Sequence, residues 1–315
     1  MKQHKPYFMY LATAIQIAIF VYSLYYNYNL TKSWVAPFNE NPMIGPSSGT
    51  LINLGARFLP CMKETEYLYR PILCPTGMTG TFDPANPTHC SLKDMCGFDM
   101  KSGEKPNQWY RFIVPIFLHG GIIHIIFNLS FQIRTGIQME KDFGTWRIMI
   151  IYLLSGIFGF AFEAKSNGVA PSVGCSGSLY GLMACLLLDL IQSWKLITNP
   201  WTELFKMILI IIFSLGIGLL PNIDNYAHIG GFMMGILTGL IFLPSIIYSK
   251  RHLKIKRILM IISVFLSIFL FIWVFRQFYY SDGYCSWCHY LNCLPINHWC
   301  DNLTASAADI ATNNP

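Results

Sequence analysis

The apolar residues of this chain gather into long runs separated by polar breaks, and the length of those runs is informative first. Crossing the hydrocarbon of a bilayer as a helix takes about 20 mostly apolar residues. Seven stretches qualify, near 7–27, 111–133, 146–163, 176–194, 203–220, 226–248 and 258–278. No small-residue cleavage site follows the first, and Tyr22, Tyr25, Tyr26 and Tyr28 close it like an interfacial belt, so it is expected to be a retained signal anchor. Residues 29–110 are rich in Pro, Gly, Asn and charge, with little periodicity. Within them PFNENPMIGPSSGT (37–50) carries loop punctuation, a short amphipathic turn fits near 51–59, and the rest reads as disulfide-pinned coil. The tail after Asn302 reads as disordered.

Composition sharpens this picture. Hydrophobic residues make up 53% of the chain and charged ones only 12%, about half the soluble average. The fold class is therefore an all-α polytopic membrane protein. Lys and Arg in short loops resist translocation, and the densest cluster, SKRHLKIKR (249–257), is expected to be a basic cytosolic loop. An odd number of spans then puts the N-terminus in the cytosol and the C-terminus in the lumen or outside the cell. The expected division is 1–28 for the N-terminus and first span, 29–110 for a non-cytosolic loop, 111–248 for spans two to six, the 249–257 loop, span seven at 258–278, and a non-cytosolic tail at 279–315. Topology accounts for most of the net charge of +6, so no nucleic-acid partner is called for.

Cysteine placement agrees. Cys61, Cys74, Cys90 and Cys96 fall in the first long loop, and Cys285, Cys288, Cys293 and Cys300 in the tail. Both sets are even and lie where disulfides persist, on the secretory route or at the plasma membrane. CSWCHYLNC, with His289 and His298 nearby, also has zinc-ligand character, but the compartment favours disulfides. Cys175 and Cys185 read as small packing residues.

Hydrocarbon penalises unsatisfied polar groups, so those inside spans usually face a cavity and work there. Three sets stand out: His124 and Asn128, one turn apart on span two; Ser176 opening span four, with Tyr180 one turn on; and His228 on span six. Gly177 and Gly181 form a GxxxG pair, as do Gly231 and Gly235, and small residues at that spacing let helix backbones approach closely. Contact between spans four and six would bring the Ser176 hydroxyl to the His228 imidazole. A neutral imidazole can take the serine proton during attack on a carbonyl and return it to the leaving amine. Oxyanion charge needs fixed donors, which His124, Asn128 and the free amides at the start of span four can supply. Taken singly, Ser176 is an ordinary helix cap, each His a packing or relay residue, and GxxxG common in polytopic proteins. Their joint occurrence at one depth favours chemistry.

These motifs resemble the rhomboid family of intramembrane serine proteases. GxSG stands as Gly174-Cys175-Ser176-Gly177 followed by Tyr180, HxxxN as His124 and Asn128 with His119 five residues earlier, and AHxxG as Ala227, His228 and Gly231 continued by Gly235. Order and spacing match over roughly 106–248. The resemblance implies a Ser176–His228 dyad without a third carboxylate, Asp224 being a turn residue. It also implies Tyr180 stacked on His228, and an oxyanion site of His124, Asn128 and the Ser176 amide. QWYR (108–111) looks like the family's tryptophan/arginine element, giving Trp109 and Arg111 structural roles, as for His119. Glu140 falls at a structural acid expected to pair with Arg134 or local backbone. A six-span core plus a C-terminal span resembles the secretase-type branch, and no Arg-rich transit segment suggests the mitochondrial one. Inactive relatives would be expected to lose Ser or His, or to carry proline beside the serine.

The expected function is cleavage of single-span membrane proteins within or beside their transmembrane helices, with the bilayer as environment and no metal or organic cofactor. A non-proteolytic protein that binds or dislocates membrane clients is the alternative. A proton-coupled transporter leaves GxSG unexplained and would call for inverted repeats, which are not visible. Client and oligomeric state are not readable from the sequence.

Overall fold

The computed structural model describes residues 3–65, 72–74, 88–98, 100–101, 104–166, 171–219, 225–244 and 249–280. The tail cysteines, Asp224 and the tail expected to be disordered lie outside them. In chain order the helices are α1 (Tyr7–Thr31), α2 (Ser48–Asn53), α3 (Leu92–Cys96), α4 (Ile122–Phe131), α5 (Ile137–Phe143), α6 (Thr145–Ser166), α7 (Ser176–Gln192), α8 (Pro200–Ile217), α9 (Asn225–Phe242) and α10 (Lys250–Tyr280). Among the described residues, α1, α6, α8, α9 and α10 are long and apolar enough to cross a membrane, and α7 is a shorter apolar helix.

Two boundaries differ most from the sequence reading. Span two begins at Ile122, not at 111. Residues 109–117 form two 3-10 turns, the second carrying Pro115 near its start, and Gly120 and Gly121 separate them from the helix. The apolar run there is loop wall rather than span. Residues 250–257, expected to be loop, are the first two turns of α10, which runs unbroken for 31 residues. A π-helical turn, Gln132–Gly136, also joins α4 to α5, so span two changes helical phase part-way along.

The chain divides into two compact units. Described residues 3–11, 131–166 and 176–280 make one, in which α6, α7 and α9 pack on one another and α10 lies against α6 and α9. Small residues set the α7–α9 spacing. A Cβ on Gly231 would collide with the backbone of Gly177, and one on Gly235 with the backbone of Gly181. A Cβ on Gly159 of α6 would come within 2.7 Å of the Ala227 carbonyl, so α9 is clasped on two sides. The inward stripe of α10 is Ser263, Ser267, Val274 and Phe278, with Phe271 edge-on to Phe158 of α6. By contrast no residue of α8 is buried. The head of α1 is fixed by Glu140 of α5, whose carboxylate accepts from the amides of Phe8 at 2.9 Å and Met9 at 2.7 Å.

Residues 12–130 and 171–175 make the other unit. It has a small core of Ile52, Phe58, Leu92, Met95 and Met100 around the disulfides Cys61–Cys96 and Cys74–Cys90, with a two-residue antiparallel pairing of β1 (Ile72–Leu73) and β2 (His89–Cys90). The helical turn expected near 51–59 is divided between α2 and a 3-10 turn at Leu59–Cys61. Asn27 ties the end of α1 to this region: its Oδ1 accepts from the Ser47 amide and the Thr50 hydroxyl, and its Nδ2 donates to the Ser33 carbonyl.

Candidate active site

Close approach of α7 and α9 brings a hydroxyl and an imidazole together inside the helical bundle. Ser176 is the first residue of α7 and His228 lies in the first turn of α9. Ser176 Oγ and His228 Nε2 are 2.8 Å apart. With the imidazole neutral and its proton on Nδ1, the hydroxyl donates to Nε2, the arrangement a base needs before it removes that proton. His228 is buried and Ser176 partly so. Tyr180, one turn along α7, stacks on the imidazole with ring centroids 4.4 Å apart and planes 15° from parallel. A Cβ on Gly177, next to the serine, would lie 3.1 Å from the Ala227 carbonyl oxygen, so a side chain there would crowd α9 beside the reactive pair.

The other unit holds the remaining motif residues. Gly174 has φ +126°, a conformation L side chains rarely adopt. A Cβ there would also lie 2.8 Å from the His124 ring and 3.5 Å from Asn128 Nδ2. GxSG and HxxxN therefore constrain one another at this glycine. The Gly174 amide donates to the Pro115 carbonyl at 2.9 Å, and residues 57 and 172 form a β-bridge, so the segment leading to the serine is held by backbone bonds. Asn128 Nδ2 is buried with no hydrogen-bond partner among the described residues. His124 Nδ1 accepts from the Gly120 amide at 3.3 Å, which leaves its Nε2 to carry the proton. His119 lies edge-on to His124, centroids 5.4 Å apart, with its Nε2 3.7 Å from Cys175 Sγ. Cys175, read from sequence as mere packing, thus has a polar neighbour.

The remaining sequence candidates are scaffold in geometry. Arg111 is fully buried, its Nη1 donating to the carbonyls of Ile52 (2.8 Å) and Ala56 (2.7 Å), its Nη2 to that of Cys96, and its Nε to Gln108 Oε1 at 2.7 Å. One side chain thus gathers α2, α3 and the first 3-10 turn. Trp109 is 57% exposed and projects from the same turn. Glu140 bonds neither Arg134 nor neighbouring backbone but the distant head of α1. Sequence reasoning missed the Tyr152 hydroxyl, which donates to Gln132 Oε1 at 2.8 Å beside the π turn. A buried glutamine inside a span was the available signal.

Helical fold and polar cluster together define a multi-pass membrane protein with a paired serine and histidine inside its bundle. The comparisons give the family. A model described as Rhomboid domain matches residues 106–245. The chain is 34% identical to Rhomboid-type serine protease 2 of Emericella nidulans over 366 aligned residues, 94% of this chain and 71% of that protein. It is also 38% identical over 221 residues to Inactive rhomboid protein 1 of Homo sapiens, and 39% identical over 223 residues to the Rattus norvegicus protein of that name. In both cases the match takes 70% of this chain but 26% of the relative, so the chain spans about a quarter of the length of those proteins. This chain belongs to the rhomboid family.

Proposed function

We propose that the chain is an intramembrane serine endopeptidase. The observation that carries the reading is the 2.8 Å separation of Ser176 Oγ and His228 Nε2. Ser176 attacks a carbonyl of a partly unwound transmembrane segment, and His228 takes its proton and passes it to the leaving amine. Tyr180 keeps the imidazole plane fixed. Following the family resemblance, His124 Nε2–H and Asn128 Nδ2–H donate to the oxyanion, a role that suits an asparagine donor otherwise buried without a partner. Substrates are single-span membrane proteins cut near the non-cytosolic face, an orientation supported by the placement of Lys and Arg.

The second reading, a client-binding protein that does not cut, is favoured by the relatives named inactive rhomboid proteins. One experiment separates the two. Purified protein is incubated with labelled transmembrane helices and with a fluorophosphonate probe, beside Ser176→Ala and His228→Ala. We expect cleavage and labelling by the wild type and loss of at least about 10³-fold in either variant, since removing a dyad member leaves only residual catalysis. An unlabelled, inactive wild type would leave the client-binding reading standing, and variants that cut as well as the wild type would refute the dyad.

A further inference from the structure

The start of α10 poses an electrostatic problem that the peptidase reading does not touch. Lys250, Arg251, Lys254 and Arg257 are all exposed, and they fall in the first two turns of the helix. The N-terminal end of a helix carries the positive pole of its dipole, where cations are disfavoured and anions favoured. Positions 250 and 254 are i, i+4, while 251 and 254, and 254 and 257, are i, i+3, so the like charges also repel along one surface. No acidic residue stands in the first turn. Among the described residues none of these four side chains meets a carboxylate at ion-pair distance. Placing Lys and Arg outside the hydrocarbon explains their sign, yet a loop would serve that purpose as well. What it leaves unexplained is a rigid helix that holds them together at its least favourable end.

One more cation of α10 and one of α6 join them. Lys256 Nζ donates to the Leu243 carbonyl just past α9 at 3.0 Å, and its charge lies within electrostatic reach of Arg147 near the start of α6. Arg147 stacks over the half-exposed Trp146 at 4.6 Å, and Trp146 in turn is edge-on to Phe242 of α9. Three helix ends therefore converge on one basic, aromatic-edged surface. Depth identifies what reaches it. At about 1.5 Å per residue, residues 258–280 span roughly 34 Å and fill the hydrocarbon, so the 250–257 turns extend about 12 Å beyond it, into the headgroup layer. Ile255, Ile258 and Leu259, all exposed, lie beside the cations on the acyl-chain side.

We propose that this surface binds anionic phospholipid headgroups, whose phosphates supply the counter-charge that the helix end lacks. The ligand class is a phospholipid with net negative charge, held by its headgroup at Lys250, Arg251, Lys254 and Arg257 and by its acyl chains against the isoleucines. The site is separate from Ser176 and His228 and stands whether or not the protein is a peptidase.

The test uses full-length protein in phosphatidylcholine nanodiscs containing a small fraction of phosphatidylserine or a phosphatidylinositol phosphate, with retained lipid counted by native mass spectrometry. Wild type should enrich the anionic lipid over phosphatidylcholine. K250Q/R251Q/K254Q/R257Q should lower that enrichment by about tenfold or more, each cation near an anionic surface contributing substantially. K250R/K254R, which keeps the charge, should match wild type, and a K32Q/K101Q control should too. If the fourfold variant does not fold, R251Q and K254Q alone should each give a smaller loss, and raising salt should weaken enrichment by wild type. Free inositol phosphate, lacking acyl chains, should compete only at far higher concentration. Equal retention by wild type and the glutamine variants, or no preference of wild type for anionic over neutral lipid, would overturn the proposal.

Discussion

Helices α8 and α9 have the same length, 18 residues, and both are apolar enough to cross a bilayer. Their surroundings differ almost completely: none of the α8 window is buried, against 56% for α9. Hydrophobicity cannot be the cause, because lipid tails are as apolar as any side chain and reward no particular neighbour. What distinguishes α9 is the small-residue face of Ala227, Gly231 and Gly235, which lets it lie against the backbone of α7. α8 presents Phe205, Ile208, Ile212 and Phe213 instead, bulky residues left outward-facing. In this bundle close packing comes from missing side chains, and the helix that has them carries His228.

That contrast can be broken most sharply at Gly231. Its added Cβ would strike the backbone of Gly177, which cannot swing away. Gly231→Ala should therefore cost about 3 kcal/mol or more in equilibrium unfolding in detergent, at the severe end for overpacking, and should separate Ser176 from His228. An intact, wild-type-stable Gly231→Ala would show that α7 and α9 are not held by backbone contact. A smaller effect is expected at Gly181, where the added Cβ meets the Ser155 hydroxymethyl and clears the Gly231 carbonyl at 3.4 Å. Gly181→Ala should cost about 1–3 kcal/mol, and adding Ser155→Gly should return about half of it, since the obstacle is a side chain. No recovery in the double variant would place the clash elsewhere. The smallest effect belongs to α8: Phe213 is 72% exposed, and Phe213→Ala should change stability by no more than about 0.5 kcal/mol. A large loss there would mean that α8 is anchored as firmly as α9.

The sequence made some of this plain and hid the rest for physical reasons. Ser176, His228, Tyr180 and the glycine pairs were legible because each is anomalous in hydrocarbon or spaced at one helical turn, and the structure brings all of them together on α7 and α9. The start of span two was misplaced because hydropathy weighs residues such as Ile113 and Ile116 alike in a helix or in 3-10 turns around a proline. Helical order at 250–257 was hidden because charge marks the end of an apolar run, not the end of the backbone hydrogen bonds. The partner of Glu140 could not be read at all, since it is a pair of main-chain amides with no side-chain signature.

That last contact bears on how the chain is made. Phe8 and Met9 belong to the opening turn of α1, whose amides have no acceptor within their own helix. The acceptor they finally find lies 132 and 131 residues downstream. At a synthesis rate of roughly 5–20 residues per second, Glu140 leaves the ribosome between about 7 and 26 seconds after those amides do. During that interval the leading end of the first span depends on water or headgroups for its hydrogen bonds. Helix α1 is thus completed only after α5 has been made, which gives biogenesis a checkpoint: a nascent chain cut off before α5 carries an α1 whose end has not been closed.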